Sequence, residues 1–410
     1  MIHVSIRFSQ SFSLLQFPVT QTRSALAMSD LPGMSTFEFS LDAYLSDLKP
    51  LINVDCGTCT PEGVAAIADL MTAHYESIGW HVTRHHVDDR AGPCLSVTNK
   101  PEATEYDVLL VGHMDTVFPE GTAAERPMSI RDGQAYGPGV ADMKSGLLNA
   151  FYALKQLPQA VTDKLAICVA MNCDEEIGSI YSQGFIESMA KKSKQVLVCE
   201  AARTDGSLVK ARKGLAVYDI EFQGRAAHAG NEPEKGISAI TEMAQWIVEL
   251  NKLTNFETGT TLNFGVVSGG SAGNVVPEHA KACLDIRFWN NADYEQIDFR
   301  LHELAENPFL EGIRIEKVRT AHKPAMVPSE QTESLMTLVE ACGREENIDI
   351  TWQAVGGGSD ANFTAALGIP SLDGLGPIGG AMHSDKEFLV LDSIEPRIRL
   401  LQRVLTRLAD

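Results

Sequence analysis

His113, Asp142, Glu175, Glu176, Glu200 and His383 are imidazole and carboxylate residues of the types that hold divalent cations, and most of them follow an apolar run. Val108-Leu109-Leu110-Val111 breaks into Gly112-His113-Met114-Asp115, Leu165 to Met171 breaks into Asp174-Glu175-Glu176, and Val196-Leu197-Val198 ends at Glu200. Each run reads as a buried strand, and in an open α/β sheet the polar residues beyond the carboxyl ends of the strands face one crevice. Taken singly, a histidine after a strand, an aspartate before a helix or two adjacent glutamates are more often turns and caps. Their recurrence at successive strand ends points to a metal site.

His113 and Asp115 stand two apart, so in extended backbone both leave the same face, and Asp115 can hold one imidazole nitrogen while the other takes a metal. Asp142 lies between Gly137-Pro138-Gly139 and the amphipathic run Ser145 to Leu157, a loop-to-helix junction where a carboxylate can bridge two cations. Extended backbone would point Glu175 and Glu176 apart, one as ligand and the other as proton carrier. Several carboxylates buried together require counter-charge. Two divalent cations supply it, and a mixed imidazole and carboxylate set suits zinc first, with cobalt or manganese as alternatives.

The elements expected to position these residues form an α/β fold, a mostly parallel sheet with helices on both faces. Helix-like spacing covers residues 38 to 50 and 61 to 79, the second with a capped start at Thr60-Pro61-Glu62. Strand and helix signals then alternate through Glu200. Between Lys213 and Lys323 the order becomes β-α-β-β-α-β, with strands at Leu215 to Phe222, Thr261 to Val267, Ala280 to Phe288 and Ile313 to Val318, and helices at Ile237 to Leu250 and Ala292 to Glu306. That is the order of a ferredoxin-like α+β unit. Residues 213–323 therefore read as an insertion in a catalytic domain made of residues 35–212 and 324–410. In its second part Leu335 to Glu346, Ala361 to Leu367 and Ile394 to Leu408 read as helices.

The 410 residues are 44% hydrophobic and 21% charged, enough apolar material for two cores. A formal net charge of -20, from 34 basic and 54 acidic residues, argues against nucleic acid or an anionic membrane as partner. No apolar stretch approaches the roughly 18 to 20 residues that span a bilayer. The eight cysteines form no regular framework and fall partly in buried strands, so they read as reduced core thiols and place the chain in the cytoplasm. Cys56-Gly-Thr-Cys59 has redox or zinc-knuckle spacing, but no second pair or thioredoxin-like context accompanies it. Residues 1–34 lack acids until Asp30 and read as an over-extended start, with Met28 or Met34 beginning the protein; a cleaved leader, with export, is the other reading.

The strings Gly112-His113-Met114-Asp115-Thr116-Val117, Gly137 to Gly146, Asp174-Glu175-Glu176-Ile177-Gly178, Ala227-His228-Ala229-Gly230 and Met382-His383-Ser384-Asp385 resemble a family of dinuclear zinc metallopeptidases. That family includes glutamate carboxypeptidase, acetylornithine deacetylase, succinyl-diaminopimelate desuccinylase and aminoacylase. The likeness runs in order from about residue 38 to the end and is strongest to the glutamate carboxypeptidase branch. It singles out His383, which spacing does not. It implies two zinc ions bridged by Asp142, one completed by His113 with Glu200 or Glu176, the other by the remaining glutamate with His383. It further implies a cis bond at Asp142-Met143, Glu175 as general base and Asp115 as its catalytic companion. The insertion would then be a lid and dimerisation domain, through which His228 reaches across a homodimer interface to polarise the scissile carbonyl beside Asn274. Arg287 and the loop with Gly357 and Gly358 would receive a substrate carboxylate.

Cations of this kind lower the pKa of a water between them from 15.7 toward about 7, and Glu175 would take its proton and pass it to the leaving nitrogen. The expected reaction is cleavage of an amide next to a free carboxylate, in a small peptide or N-acyl amino acid. An N-acyl amino acid deacylase is the alternative. A non-catalytic binding protein on the same scaffold is argued against by the intact Glu175, and a dinucleotide-dependent oxidoreductase by the lack of Gly-x-Gly-x-x-Gly after the first strand. Two departures from the glutamate carboxypeptidase pattern bear on substrate: Lys323-Pro324 stands in place of an Arg-Pro pair, and Arg212-Lys213-Gly214 is more similar to other branches.

Overall fold

Val108–His113, Ile167–Asn172 and Val196–Val198 are strands buried along their whole length, because their side chains are apolar on both faces. The computed structural model describes residues 38–410, so the N-terminal segment read as an over-extended start or leader lies outside it. In a six-stranded sheet these three strands are neighbours, with Val108–His113 in the middle and parallel to both others. Ser371–Leu372 adds a further parallel pairing, whereas His81–His85 and Cys94–Thr98 run antiparallel at the other edge. Helices Pro61–Ser77, Ser145–Lys155, Gln183–Ala190 and Ala361–Ala366 pack on this sheet.

Several elements differ in detail from the sequence expectation. Thr60 makes no side-chain cap, although Pro61 does open its helix. The helix expected from Leu335 begins at Glu330, because Ser329 accepts the Thr332 N–H and caps a polar first turn that carries no periodic apolar signal. Glu175 and Glu176 are not extended. They occupy a single tight turn, Glu175–Ile177, closed by Gly178 in the left-handed region at φ 92° and by Ser179 N donating to the Asp174 carbonyl at 2.9 Å.

Residues Gly214–Gln223, Thr261–Gly269, His279–Phe288 and Arg314–Lys323 form a four-stranded antiparallel sheet. Alternation buries Ala216, Tyr218, Ile220 and Phe222 under helices Ala239–Asn251 and Asn291–Glu306, with Trp246 and Leu301 completing that core. Thr261–Gly269 lies at one edge and is largely exposed. The last strand runs five residues past the expected end at Val318 and delivers Lys323 to the acidic cluster. A register shift between Arg319 and Ala321 breaks its alternation, so its terminal half carries no clean period-two signal.

Helix Ser145–Lys155 sits against the strand end that carries Glu200. A Cβ on Gly146 would lie 1.9 Å from the Cys199 carbonyl oxygen. Tyr44 anchors the same helix start, donating to the Ser145 carbonyl at 2.9 Å and to Asn149 Oδ1 at 2.7 Å. Gly146→Ala should therefore destabilise the protein by about 1–3 kcal/mol through overpacking. The check is its denaturation midpoint, and a wild-type value would show that the helix can shift freely.

Candidate metal centre

Asp142 is the centre of the arrangement. It lies in the turn Val140–Lys144, directly before the helix from Ser145, and its peptide bond to Met143 is cis. Its Oδ1 is 3.1 Å from His113 Nε2, which is also 3.5 Å from Glu200 Oε1. Its Oδ2 is 3.1 Å from His383 Nε2, which is 3.1 Å from Glu176 Oε2. One donor atom from each of His113, Asp142 and Glu176 lies within 4.8 Å of the others. Two donor groups thus share Asp142, one with His113 and Glu200, the other with Glu176 and His383. In this arrangement Glu176 turns toward His383 and Glu200 toward His113.

These spacings fit divalent ions. Ligand atoms about 2.0–2.1 Å from a tetrahedral zinc lie about 3.3 Å apart, close to the separations here. The charges fit as well. Burial raises Glu200, with Asp142 adding to the effect, and burial raises Glu176 against the His383 hydrogen bond. Burial also pushes Glu175 up to about 7, opposed by Lys323. Hydrogen bonds to Asp142 and Glu176 push His383 up to about 10. His113 is raised too, because Asp115, Asp142 and Glu200 outweigh the burial that would lower it. For Asp142 burial acts upward, but the His113 and His383 hydrogen bonds prevail and hold it low. Such a collection of crowded carboxylates is what doubly charged cations stabilise.

The surrounding residues fix these groups. His113 Nδ1 lies 3.2 Å from Asp115 Oδ1, which leaves Nε2 for the cluster. Asp115 also accepts from Thr58 Oγ1 at 2.6 Å, Glu175 N at 3.1 Å and Glu176 N at 3.3 Å, so one buried carboxylate orients both the imidazole and the glutamate turn. Glu387 accepts from Gly139 N, Ala141 N and Asp142 N at 3.1, 2.9 and 3.0 Å and pins the Asp142 turn. Burial pushes Glu387 up to about 7. Glu175 turns away from Glu176 and pairs with Lys323 Nζ, which lies 3.8 Å from Asp360 Oδ1.

Glu387, Lys323 and Asp360 were not singled out as site residues by the sequence. Glu387 follows no apolar run, and Lys323 could be noted only as a departure from an Arg-Pro pattern. Among the described residues none of the expected substrate-binding residues is hydrogen-bonded to the acidic cluster, and Gly358 reaches it only through Lys323. Arg287 pairs with Asp285 at 2.8–2.9 Å. Gly357 offers its carbonyl to Arg212 Nη1 at 3.0 Å, and Gly358 packs beside Lys323. His228 is exposed, with its Nδ1 accepting from Gly230 N and Asn231 N at 3.1 Å each, and Asn274 meets it through Ala229 N donating to the Asn274 carbonyl at 2.9 Å.

Residues 109–407 match peptidase family M20/M25/M40. The chain belongs to that family. Carboxypeptidase G2 of Pseudomonas sp. (strain RS-16) is 30% identical over 370 residues, 88% of each chain. Acetylornithine deacetylase of Proteus mirabilis (strain HI4320) is 26% identical over 361 residues, 84% of this chain and 90% of that one. Aminopeptidase PepT of Bacillus cereus shares the fold at a TM-score of 0.73 with 23% identity, over 90% of this chain and 99% of that one. This family membership makes the protein a metal-dependent hydrolase of the metallopeptidase type, on a mixed α/β fold. Among the described residues no helix is long and apolar enough to cross a membrane.

A raised pKa contributes stability that is present below the unfolded value and lost as pH rises through the folded value. For Glu175 the window runs from 4.5 to about 7, and for His383 from 6.5 to about 10. Asp142, held low, contributes a constant amount above its ordinary range. Chelated protein should therefore lose thermal stability steadily between about pH 6 and 9, and metal-loaded protein should lose less. A melting temperature that rises over that interval in chelator would contradict the charge assignment.

Proposed function

We propose that the protein hydrolyses an amide bond next to a free carboxylate, in the manner of a glutamate carboxypeptidase acting on small peptides or N-acyl amino acids. The observation that carries this reading is the shared carboxylate of Asp142, each oxygen of which sits beside a separate imidazole that in turn faces its own glutamate. Two ions are assigned, zinc first and cobalt or manganese as substitutes, one to His113, Asp142 and Glu200, the other to Asp142, Glu176 and His383. When bound, such ions acidify water and polarise a carbonyl oxygen.

The protein's own groups supply the rest. Glu175, with a pKa near 7, is matched to taking a proton at neutral pH and returning it to the leaving nitrogen. Asp115 touches no reacting atom in this scheme and is a positioning residue for His113 and for the turn that carries Glu175. His228 accepts two backbone N–H groups at Nδ1, so its neutral ring carries the proton on Nε2 and can donate it to a carbonyl oxygen. Asn274 would assist, while Arg287 and the amides of Gly357 and Gly358 would take the substrate carboxylate.

Residues 213–323 are assigned to an inserted lid and dimerisation domain, between catalytic parts 35–212 and 324–410. The exposed edge strand Thr261–Gly269 supports a homodimer, since an unpaired edge favours pairing with a second copy. N-acyl amino acid deacylation is the second reading, favoured by the acetylornithine deacetylase relative and by Lys323 where the glutamate carboxypeptidase pattern has arginine.

Glu175→Gln should lower kcat by roughly a hundred- to ten-thousand-fold, the usual worth of general acid–base catalysis. Metal content of the purified variant should remain two equivalents, whereas His113→Ala should lose metal. Full turnover in the Glu175 variant would remove that residue from the proton-transfer role. A folded, metal-replete protein inactive on every N-acyl amino acid and dipeptide tried would remove the amidase reading.

A further inference from the structure

His113 and His383 both face Asp142, but the two rings are held in different ways. The His113 side chain is 1% exposed, and its Nδ1 lies 3.1 Å from the Asp115 carbonyl oxygen and 3.2 Å from Asp115 Oδ1. The His383 side chain is 56% exposed, and among the described residues its contacts to Asp142 and Glu176 run through Nε2, with no hydrogen bond at Nδ1. A histidine that binds metal ordinarily has a partner on its other ring nitrogen, which fixes the direction of the ring. For His383 that direction must come from the backbone.

The backbone there is strained. Residues 381–387 close the hairpin whose strands pair at Gly380 and Phe388. Ala381 and His383 both lie in the left-handed region, at φ 54° and 61°, where a Cβ is disfavoured. Non-glycine residues persist in that conformation only where their surroundings over-determine it. Ser384 supplies the restraint within the hairpin, with Oγ donating to the Ala381 carbonyl at 2.6 Å and accepting from Lys386 N at 3.1 Å. Arg126 supplies one from outside it. Its Nη1 donates to the Ser384 carbonyl at 3.3 Å, and its guanidinium lies over the Phe118 ring, 4.7 Å from the centroid. Arg126 is itself rooted near the His113 strand end. It closes the short helix Thr122–Glu125, whose start is fixed by Asp55 accepting Gly121 N at 2.8 Å and Ala123 N at 2.7 Å. Thr116, next to Asp115, donates its N–H to the Cys56 carbonyl at 3.0 Å. One contact between residues 258 apart thus ties the His383 hairpin to the segment that leaves His113.

We propose that Arg126 is a positioning residue for His383, an inference that rests on the two-ion assignment above. It strengthens the hold on the ion assigned to Asp142, Glu176 and His383 and leaves the ion assigned to His113, Asp142 and Glu200 unaffected. The sign of the effect separates positioning from charge. Arg126 is a cation, and a cation acting only through space repels a metal ion, so its removal would tighten binding. Positioning acts the other way. Without the contact to Ser384 the hairpin relaxes out of its left-handed conformation, His383 turns from Asp142, and binding weakens.

The test is a cobalt titration of the metal-free full chain against a competing chelator, read by visible absorption. Wild-type protein should take up two ions, and the step lost in His383→Ala identifies the ion concerned. Arg126→Met keeps an apolar stem against Phe118 and removes every donor. It should weaken that step by about ten- to a hundredfold, the usual worth of a group behind a metal ligand, and change the absorption band of that ion alone. The other step should stay within about twofold of wild type. Arg126→Lys, which retains the charge and a donor, should recover part of the loss. Unchanged or tighter binding in Arg126→Met, equal weakening of both steps, or an Arg126→Lys protein no better than Arg126→Met would overturn the positioning role and leave the two-ion assignment standing. Wild-type protein that takes up fewer than two ions would sink the two-ion assignment and the role of Arg126 with it.

Discussion

Crowded negative charge is the constraint around which this fold is built. Asp115, Asp142, Glu175, Glu176 and Glu200 converge on a volume in which water is largely excluded, and each must find a partner or lose its charge. The protein answers in three ways. Imidazoles of His113 and His383 divide the two oxygens of Asp142, Lys323 takes Glu175, and backbone N–H groups take Asp115 and Glu387. The remaining charge suits divalent ions, which ties the peptidase family chemistry to the same electrostatic demand.

Placement is inseparable from sheet order. Because the Val108–His113 strand lies between Ile167–Asn172 and Val196–Val198 and parallel to both, three chain segments end on the same side. Strand neighbours are about 4.8 Å apart, so groups one or two residues past each end are within reach of one another. Asp142 needs a different support. It comes from a turn, and Glu387 holds that turn by accepting the amides of Gly139, Ala141 and Asp142, which would otherwise need other partners in a buried space.

Much of this was legible in the sequence, for a physical reason. Fully apolar runs that break into acidic or imidazole residues are unambiguous where strands are buried on both faces, and His113, Glu175 and Glu200 stand at just such breaks. His383 and Glu387 were not, since the strands that flank them, Gly379–Gly380 before His383 and Phe388–Val390 after Glu387, are too short to carry a periodic signal. The extended reading of Glu175-Glu176 failed because Gly178 and Asp174 close a turn whose geometry depends on tertiary contacts with Asp115. The terminal half of Arg314–Lys323 was missed because its irregular register erased alternation. Which glutamate accompanies which histidine was likewise beyond any one-dimensional pattern.

The hold of Glu387 on the Asp142 turn spans about 245 residues of chain. A nascent polypeptide emerging from the ribosome therefore carries four of its metal-type ligands, His113, Asp142, Glu176 and Glu200, long before it carries the clamp and the final imidazole. The site is complete only when the segment that carries His383 and Glu387 has left the exit tunnel and docked, so synthesis itself enforces a delay between early sheet formation and cation capture.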